Sequence, residues 1–347
     1  MKQVALGLLV CGLALLTGCQ KGAEKPKLYF YTWADYIDPE MVKAFEAEND
    51  CTVVLDYFDS NESMLAKIKS GNTGYDVILP STYMVAIMQQ EGLVQKLDGE
   101  KIPNAIASID TRAAKLVNDE KLEYSVPYYL GITGFGYNKE QLKTVPDSWR
   151  IFEQETLQGR MALLDDMRET LGAALMTLGF DPNTTDQTQL EAARDLVVQW
   201  KANIAKFGVD DVKQGLANGE FYVVHGYSGD MLQFTLDDPN IGFAMPKEGT
   251  LLAIDHFVIP TNATNPQLAH QFINFMCDPK NAAANMEFTQ YYIPVSKAVE
   301  LLPDELRNSE MFRTISENYA NAKMIQDLGE NNVLYSRIWD QVKAAHH

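Results

Sequence analysis

Apolar runs and amphipathic segments alternate along most of the chain. Runs rich in apolar and β-branched residues, bounded by Gly, Pro, Asp or Ser, predict strands. These runs are Leu28–Thr32, Thr52–Leu55, Tyr75–Leu79, Val126–Tyr137, Met161–Leu164, Phe221–Val224, Ile241–Met245 and Leu251–Ile259. Between them, apolar residues spaced along one helix face predict helices. Strands that alternate with helices indicate βαβ units, a mostly parallel sheet and an α/β fold.

The helix predictions rest on local start signals and on apolar spacing. Asp38 followed by Pro39 marks one helix start, and Ser60 marks another. Further helices are predicted through Leu171–Leu178, over Gln187–Phe207, from about Gly229 and over Tyr335–Ala344. Two α/β lobes account for this pattern. The extended runs Val126–Tyr137 and Leu251–Pro260 are candidates for strands that cross between the lobes.

Length and charge narrow the class of protein. A chain of 347 residues is long enough for about two domains, in agreement with two lobes. The 47 acidic residues outnumber the 29 basic ones, which gives a formal net charge of −18. Such a surface repels phosphate groups, so nucleic acids and anionic membranes are not expected partners, whereas a cationic ligand is compatible.

The first residues have the pattern of an export signal. One basic residue precedes the apolar run Val4–Leu16, which is too short to span a bilayer, and the Leu-Thr-Gly-Cys run that ends at Cys19 resembles the lipobox of bacterial lipoproteins. The resemblance implies a signal peptide over residues 1–18, a lipid on the thiol of Cys19, and a polar tether over residues 19–27. An ordinary buried helix is the alternative, but the segment has neither an amphipathic period nor a cap.

Cysteine and histidine spacing gives no metal or cofactor site. Beyond the expected lipid anchor at Cys19, only Cys51 and Cys277 remain, and they are either a disulfide or two isolated buried thiols. The histidines are scattered, so no metal or other cofactor is expected.

One motif approaches that of a serine hydrolase. Gly226–Asp230 reads G-Y-S-G-D, close to the G-x-S-x-G nucleophile elbow, but Asp230 replaces the last glycine. Asp255 and His256 are neighbours in one predicted strand, so their side chains point to opposite faces and do not complete a triad with Ser228. An exported hydrolase that uses Ser228 therefore stays open only as an alternative.

Polar and aromatic residues cluster after four predicted strands. In open α/β sheets ligands bind beyond the carboxyl ends of the strands, and carboxylates beside aromatic faces favour a cation. The clusters are Trp33–Tyr36, Ser81–Tyr83, Asp165–Glu169 and Tyr227–Asp230. Helix capping is the alternative role for their Asp and Ser residues. Asp255 differs from them, because it lies inside an apolar run, where a buried carboxylate needs a charge or hydrogen bonds to offset its desolvation.

Several longer segments resemble one family. The runs YFYTWADYIDPE, DSNESMLAKIKSGNTGYDVILPSTY, LLDDMRE, MPKEG and INFMCDP resemble the periplasmic spermidine/putrescine-binding proteins of bacterial ABC importers. The resemblance implies a type II periplasmic-binding fold, with two α/β lobes that close over a polyamine in the cleft between them. The implied organisation is residues 28–132 and 256–300 in lobe 1, residues 133–255 in lobe 2, and C-terminal helices packing across both lobes over residues 301–347.

The resemblance also implies a set of ligand-binding residues. They are Trp33, Asp35, Tyr36, Ser81, Tyr83, Asp166, Glu169, Tyr227, Asp230, Asp255, Tyr291 and Gln326. Tyr227 falls where the family has Trp, Ala34 replaces a hydroxyl residue, and Ala253 replaces an aromatic that walls the ligand. The set combines features of putrescine-preferring and spermidine-preferring members, so the preferred polyamine stays open.

The function implied is that of a receptor and not of an enzyme. A monomer would bind putrescine, spermidine or both and deliver the ligand to a separate permease and ATPase, while lipid at Cys19 holds it at the membrane of the cell envelope. A hydrolase and a surface lipoprotein without a small ligand are the two alternatives.

Overall fold

The computed structural model describes residues 24–71, 73–117, 119–309, 312, 313, 315, 319 and 322–345. The predicted signal peptide, Cys19 and the beginning of the tether lie outside these residues. Within the described part of the chain, no helix is long and apolar enough to cross a membrane.

A small parallel sheet forms the first part of the structure. Its strands are β1 (Lys27–Thr32), β2 (Thr52–Tyr57) and β3 (Val77–Ile78), in the order β2-β1-β3. Helices α1 (Pro39–Asn49), α2 (Asn61–Lys69) and α3 (Thr82–Gln90) follow these strands. The predicted helix starts are confirmed, because Asp38 accepts a hydrogen bond from the backbone N–H of Glu40 and Ser60 accepts one from that of Ser63. We call this part, with the helices packed on it, the first lobe.

A second sheet contains both parallel and antiparallel strands. Its order is β10-β9-β4-β7-β5-β6, with β8 also paired to β4. The strands are β4 (Val126–Asn138), β5 (Met161–Leu164), β6 (Lys206–Gly208), β7 (Val223–Tyr227), β8 (Ile241–Ala244), β9 (Leu251–Phe257) and β10 (Lys323–Met324). The prediction of a mostly parallel sheet is therefore wrong here, since β4 pairs antiparallel with β7, β8 and β9. We call the part built on β5–β8 the second lobe.

Strands β4 and β9 connect the two lobes. Up to Ile132, β4 pairs with β9, and from Thr133 it pairs with β7 of the second lobe. At its other end β9 leads to the first lobe, where Ser81 bridges to Asp255 and Ile78 bridges to Val258. Both extended runs, which the sequence offered as candidates, thus connect the two lobes.

The remaining helices cover the sheets. They are α4 (Pro103–Ser108), α5 (Thr111–Leu116), α6 (Met167–Thr177), α7 (Gln187–Lys201), α8 (Asp210–Ala217), α9 (Ser228–Asp237), α10 (Pro266–Met276), α11 (Pro279–Thr289), α12 (Asp304–Arg307) and α13 (Asn332–Ala344). The helix predicted over Gln187–Phe207 ends at Lys201, and Phe207 lies in β6. Cys51 and Cys277 are both buried free thiols, so no disulfide links them.

Each lobe has its own hydrophobic core. Phe30, Phe257 and Phe272 are buried together in the first, and Trp149 and Trp200 are buried in the second. The C-terminal part contributes to both, since its side chains Leu306, Phe312 and Ile315 join the first core whereas Tyr335, Ile338 and Val342 join the second. This packing holds the lobes on either side of the crossing strands.

Candidate ligand-binding site

A cavity lies between the lobes, beside β9. Ten of the twelve predicted binding residues line it, namely Trp33, Tyr36, Ser81, Tyr83, Asp166, Glu169, Tyr227, Asp230, Asp255 and Tyr291. The first four come from loops and helix starts of the first lobe, and Asp166 to Asp230 come from the second. The ends of β1, β5 and β7 and the start of α3 therefore meet at one place, as expected for strand ends that border a cleft.

The structure does not bring Asp35 and Gln326 into the lining. Asp35 has a left-handed backbone with φ of 57°, and its side chain is 65% exposed. Gln326 is exposed, and its backbone carbonyl, not its side chain, accepts a hydrogen bond from Arg168 at 3.1 Å. Both side chains are exposed outside the lining, and the sequence does not reveal this.

Asp255 lies in the lining at the point where β9 meets the first lobe. Its carboxylate accepts a 2.6 Å hydrogen bond from the hydroxyl of Ser81, and the residue is 5% exposed. Burial raises the pKa of Asp255 to about 7, although hydrogen bonds from Ser81 and Tyr36 partly oppose this shift. Ser81 is itself oriented by Asn61, whose amide nitrogen donates to the Ser81 hydroxyl at 3.0 Å. The Ser81 hydroxyl does not cap α3 and instead donates its hydrogen bond to Asp255.

Asp166 and Glu169 form the acidic side of the second lobe. Asp166 caps α6, because one of its oxygens accepts bonds from the backbone N–H groups of Arg168 at 2.9 Å and Glu169 at 3.0 Å. The buried carboxylate of Glu169 accepts a 2.9 Å bond from the hydroxyl of Thr133 in β4. Burial, and then repulsion from Asp166, raises the pKa of Glu169 to about 8. A cationic ligand would favour the charged form of both acids.

Aromatic rings form the walls next to these acids. The rings of Tyr36 and Tyr291 have centroids 4.9 Å apart, and Tyr36 also packs at 4.6 Å on Tyr129. The indole N–H of Trp33 donates to the backbone carbonyl of Leu79 at 3.0 Å, which fixes the ring at the cavity edge. Such walls cover alkyl segments and attract cations through their faces.

Two cations in the lining are not among the predicted site residues. The Nζ of Lys213 lies 3.5 Å from an oxygen of Asp230, and the side chains of both residues are only 9% exposed. Arg168 is also in the lining, but its guanidinium is engaged with Asn183 at 2.9 Å and lies over the ring of Tyr335. No sequence motif marks Lys213, which reads as one of several polar residues on an amphipathic helix. Arg168 lies within the acidic run LLDDMRE, where its burial could not be read from the sequence.

The lining is acidic overall despite these cations. It contains five carboxylates, Asp59, Asp166, Glu169, Asp230 and Asp255, against the two cations Arg168 and Lys213. No group of three or more residues among those described has an arrangement that could hold a metal ion. The excess of carboxylates and the aromatic walls suit an organic cation with several charges.

The hydrolase alternative finds no support in the geometry. The hydroxyl of Ser228 is buried and accepts a 3.2 Å bond from the backbone N–H of Ile132. His256 points to the opposite face of β9 from Asp255, where its ring nitrogens contact Thr82 at 2.9 Å and Ser125 at 3.1 Å. Ser228 therefore has the role of a structural acceptor, and His256 is engaged with Thr82 and Ser125 rather than with the Ser228 hydroxyl that it would have to activate.

The chain is similar to known proteins over nearly its full length. The spermidine/putrescine-binding periplasmic protein of Escherichia coli K12 is 32% identical over 348 residues, which cover 99% of each chain. A solved Listeria monocytogenes structure, assigned to spermidine/putrescine ABC transport, is 35% identical with a TM-score of 0.87 and covers 92% of this chain and 99% of its own. A solved lipoprotein structure from Treponema pallidum is 34% identical with a TM-score of 0.82 and covers 91% and 99%.

The family model gives the same result. The model of the bacterial extracellular solute-binding proteins matches residues 40–314, which include β4, β9 and most of the cavity lining. The two lobes, the crossing strands and the cleft agree with the predicted type II periplasmic-binding fold. The chain therefore belongs to the family of bacterial extracellular solute-binding proteins.

Proposed function

We propose that this protein is a receptor for a polyamine, putrescine or spermidine, and that it delivers the ligand to the permease and ATPase of an ABC importer. The observation that carries the proposal is one cavity in which the buried carboxylates of Glu169, Asp230 and Asp255 lie among aromatic residues from both lobes. Each ammonium of a polyamine needs a carboxylate partner, and each alkyl segment needs an apolar wall. The E. coli relative is named for binding the same amines.

The ligand-binding residues we propose are the ten predicted residues of the lining. Asp255 and Glu169 are the principal counter-ions, since both are buried and accept side-chain hydrogen bonds from hydroxyl groups, Ser81 for Asp255 and Thr133 for Glu169. Tyr36 and Tyr291 cover the alkyl segments. Because Asp35 and Gln326 lie outside the lining, we assign them no direct contact with the ligand.

We propose lobe boundaries at 132/133 and 255/256, with residues 301–347 packing on both lobes. The change of pairing partner of β4 between Ile132 and Thr133 supports the first boundary, and the bridge from Ser81 to Asp255 supports the second. Closure of the lobes about these points would bring the aromatic residues of the first lobe and the carboxylates of the second onto one ligand.

We also propose that the protein acts outside the cytoplasm as a monomer that does not catalyse a reaction, held by lipid at Cys19. The lipobox-like run before Cys19 supports the anchor, and the T. pallidum structure is that of a lipoprotein. Metabolic labelling with a fatty acid, with Cys19→Ala as the control, tests the anchor. Label that persists in Cys19→Ala would refute it.

Calorimetry of the delipidated protein tests the binding function. We expect heat of binding with putrescine or spermidine, and none with a neutral amino acid or with a monoamine at the same concentration. Absence of binding to every polyamine would refute the proposal. Ester hydrolysis that disappears in Ser228→Ala would instead support the hydrolase.

A further inference from the structure

The ion pair between Lys213 and Asp230 lies in the cavity lining, where it can affect which polyamine binds. Lys213 is on α8, whose residues Val212 and Leu216 are fully buried in the second lobe, so the helix is firmly held. Its ammonium reaches the cavity and lies 3.5 Å from Asp230 and 3.8 Å from Asp35 of the first lobe. The protein thus supplies a cation beside Asp230, on the side of the cavity that borders the exposed Asp35, which we call one end of the cavity; the other charged lining residues are mainly acids.

We propose that Lys213 occupies an ammonium position of this cavity and thereby determines which polyamine binds, an inference that rests on the proposed polyamine function. Its charge offsets that of Asp230, so a ligand gains little by placing an amine there. An additional ligand ammonium at this end would lie close to another ammonium in a poorly solvated site and would be repelled. Lys213 therefore selects against the more highly charged amine.

The distribution of the remaining acids supports this assignment. Asp255 and Glu169 accept hydrogen bonds from hydroxyl groups, at 2.6 Å and 2.9 Å, and burial raises the pKa of each. A ligand cation therefore stabilises the carboxylates of Asp255 and Glu169 more than it stabilises the carboxylate of Asp230, because Lys213 already lies beside Asp230. A diamine has two ammonium groups, which are enough to pair with Asp255 and Glu169. The third ammonium of a triamine would have to approach Lys213.

A set of four proteins tests this by changing the charge at this end of the cavity. Relative to the wild type, Lys213→Met makes this end more negative by one charge, Asp230→Asn makes it more positive by one, and the double variant restores the balance. Calorimetry with putrescine and spermidine gives the ratio of the two dissociation constants for each protein. Lys213→Arg keeps the charge and serves as the matched control.

We expect the ratio to follow this charge. Lys213→Met should shift the preference toward spermidine by about tenfold or more, Asp230→Asn should shift it toward putrescine, and the double variant and Lys213→Arg should stay within about threefold of the wild type. An unchanged ratio in a Lys213→Met protein that still binds would overturn the role of Lys213.

Two further outcomes are also decisive. A thermal melt shows whether Lys213→Met folds. If it does not, the comparison of Asp230→Asn with the double variant still measures the effect of removing the lysine. An equal change in the affinity for both amines in that comparison would overturn the inference. If the wild type binds neither amine, the proposed function fails and this inference fails with it. Failure of Lys213 alone leaves the wild type binding at least one of them.

Discussion

The hydroxyl of Ser81 lies 2.6 Å from the carboxylate of Asp255, although 174 residues separate them in the chain. Ser81 begins α3 in the first lobe, and Asp255 lies in the crossing strand β9. The two residues also form an antiparallel backbone bridge, so the side-chain contact is held by main-chain pairing. A buried acid is thus fixed where the lobes join, and a ligand bound to it would contact this junction directly.

Replacement of Asp255 by Asn should weaken polyamine binding more than any other single change in the lining. The variant keeps the shape and most hydrogen bonds but removes the charge that faces the ligand ammonium, a loss that typically costs about 2–5 kcal/mol. The dissociation constant should therefore rise about thirtyfold or more, as measured by calorimetry. Asp230→Asn should have a smaller effect, because Lys213 already offsets this acid.

Ser81→Ala is the matched control for Asp255→Asn. It removes one hydrogen bond to the carboxylate and leaves the charge, so binding should weaken by only about 0.5–1.5 kcal/mol. A purely structural role for Asp255 would give the opposite result. In that case Asp255→Asn would lower the melting temperature of the unliganded protein and leave the affinity unchanged.

The affinity should rise strongly between about pH 5 and pH 8. The pKa of Asp255 is raised to about 7 and that of Glu169 to about 8, so both acids are largely protonated at the lower pH. A cationic ligand requires their charged forms, and its amines stay protonated over this range. Calorimetry at the two pH values should therefore differ by more than about tenfold in dissociation constant.

The unliganded protein should show the opposite trend in stability. When the pKa of a buried acid is higher in the folded than in the unfolded protein, its contribution to stability is complete at a pH below the unfolded-state pKa. This contribution is lost as the pH rises through the folded-state pKa. The contribution of Glu169 should therefore decrease from about pH 4 to pH 8. Glu169→Gln should lose this part of the pH dependence in thermal melts, and a parallel profile for variant and wild type would contradict the assignment.

The sequence predicts best those features that depend on neighbouring residues. Asp38 and Ser60 cap helices through bonds to residues two or three positions away, so their roles are visible locally. Asp255 is also recognisable, because an acid inside an apolar run must find a partner. The identity of that partner, Ser81, depends on how β9 meets the first lobe and could not be predicted.

Features that depend on the direction of a side chain in the folded chain are predicted poorly. Asp35 matches the family pattern, yet its left-handed backbone leaves the side chain exposed at the cavity edge. Lys213 has no motif, since the role we propose for it depends on acids that approach it from α9 and from the first lobe. The resemblance to a family identifies the aromatic and acidic lining but gives no signal for this cation.

Gly229→Ala should disturb the cavity wall. Gly229 is in the first turn of α9, where Ala is normally favoured, but a Cβ at this position would lie 2.2 Å from a ring carbon of Tyr291. The ring must move, which typically costs about 1–3 kcal/mol. We expect a lower melting temperature and weaker polyamine binding.

Gly99→Ala is the control, because a Cβ there meets only Ile106 at an ordinary distance of 3.9 Å. Its melting temperature and affinity should match those of the wild type. Wild-type affinity in a folded Gly229→Ala protein would show that Tyr291 does not need its present position to bind the ligand.

Polyamine binding should make the protein more compact. The lining residues come from both lobes, and β4 and β9 are the strands that cross between them, so a ligand that contacts the lining of both lobes stabilises the closed arrangement. Small-angle scattering should show a smaller radius of gyration with saturating ligand.

A multivalent cation could also compact a protein of net charge −18 without entering the cavity, so Asp255→Asn at the same polyamine concentration is the control. Compaction in the wild type but not in this variant would link closure to the site. An unchanged radius in a wild type that binds the ligand, as calorimetry of the same sample would establish, would refute closure about β4 and β9.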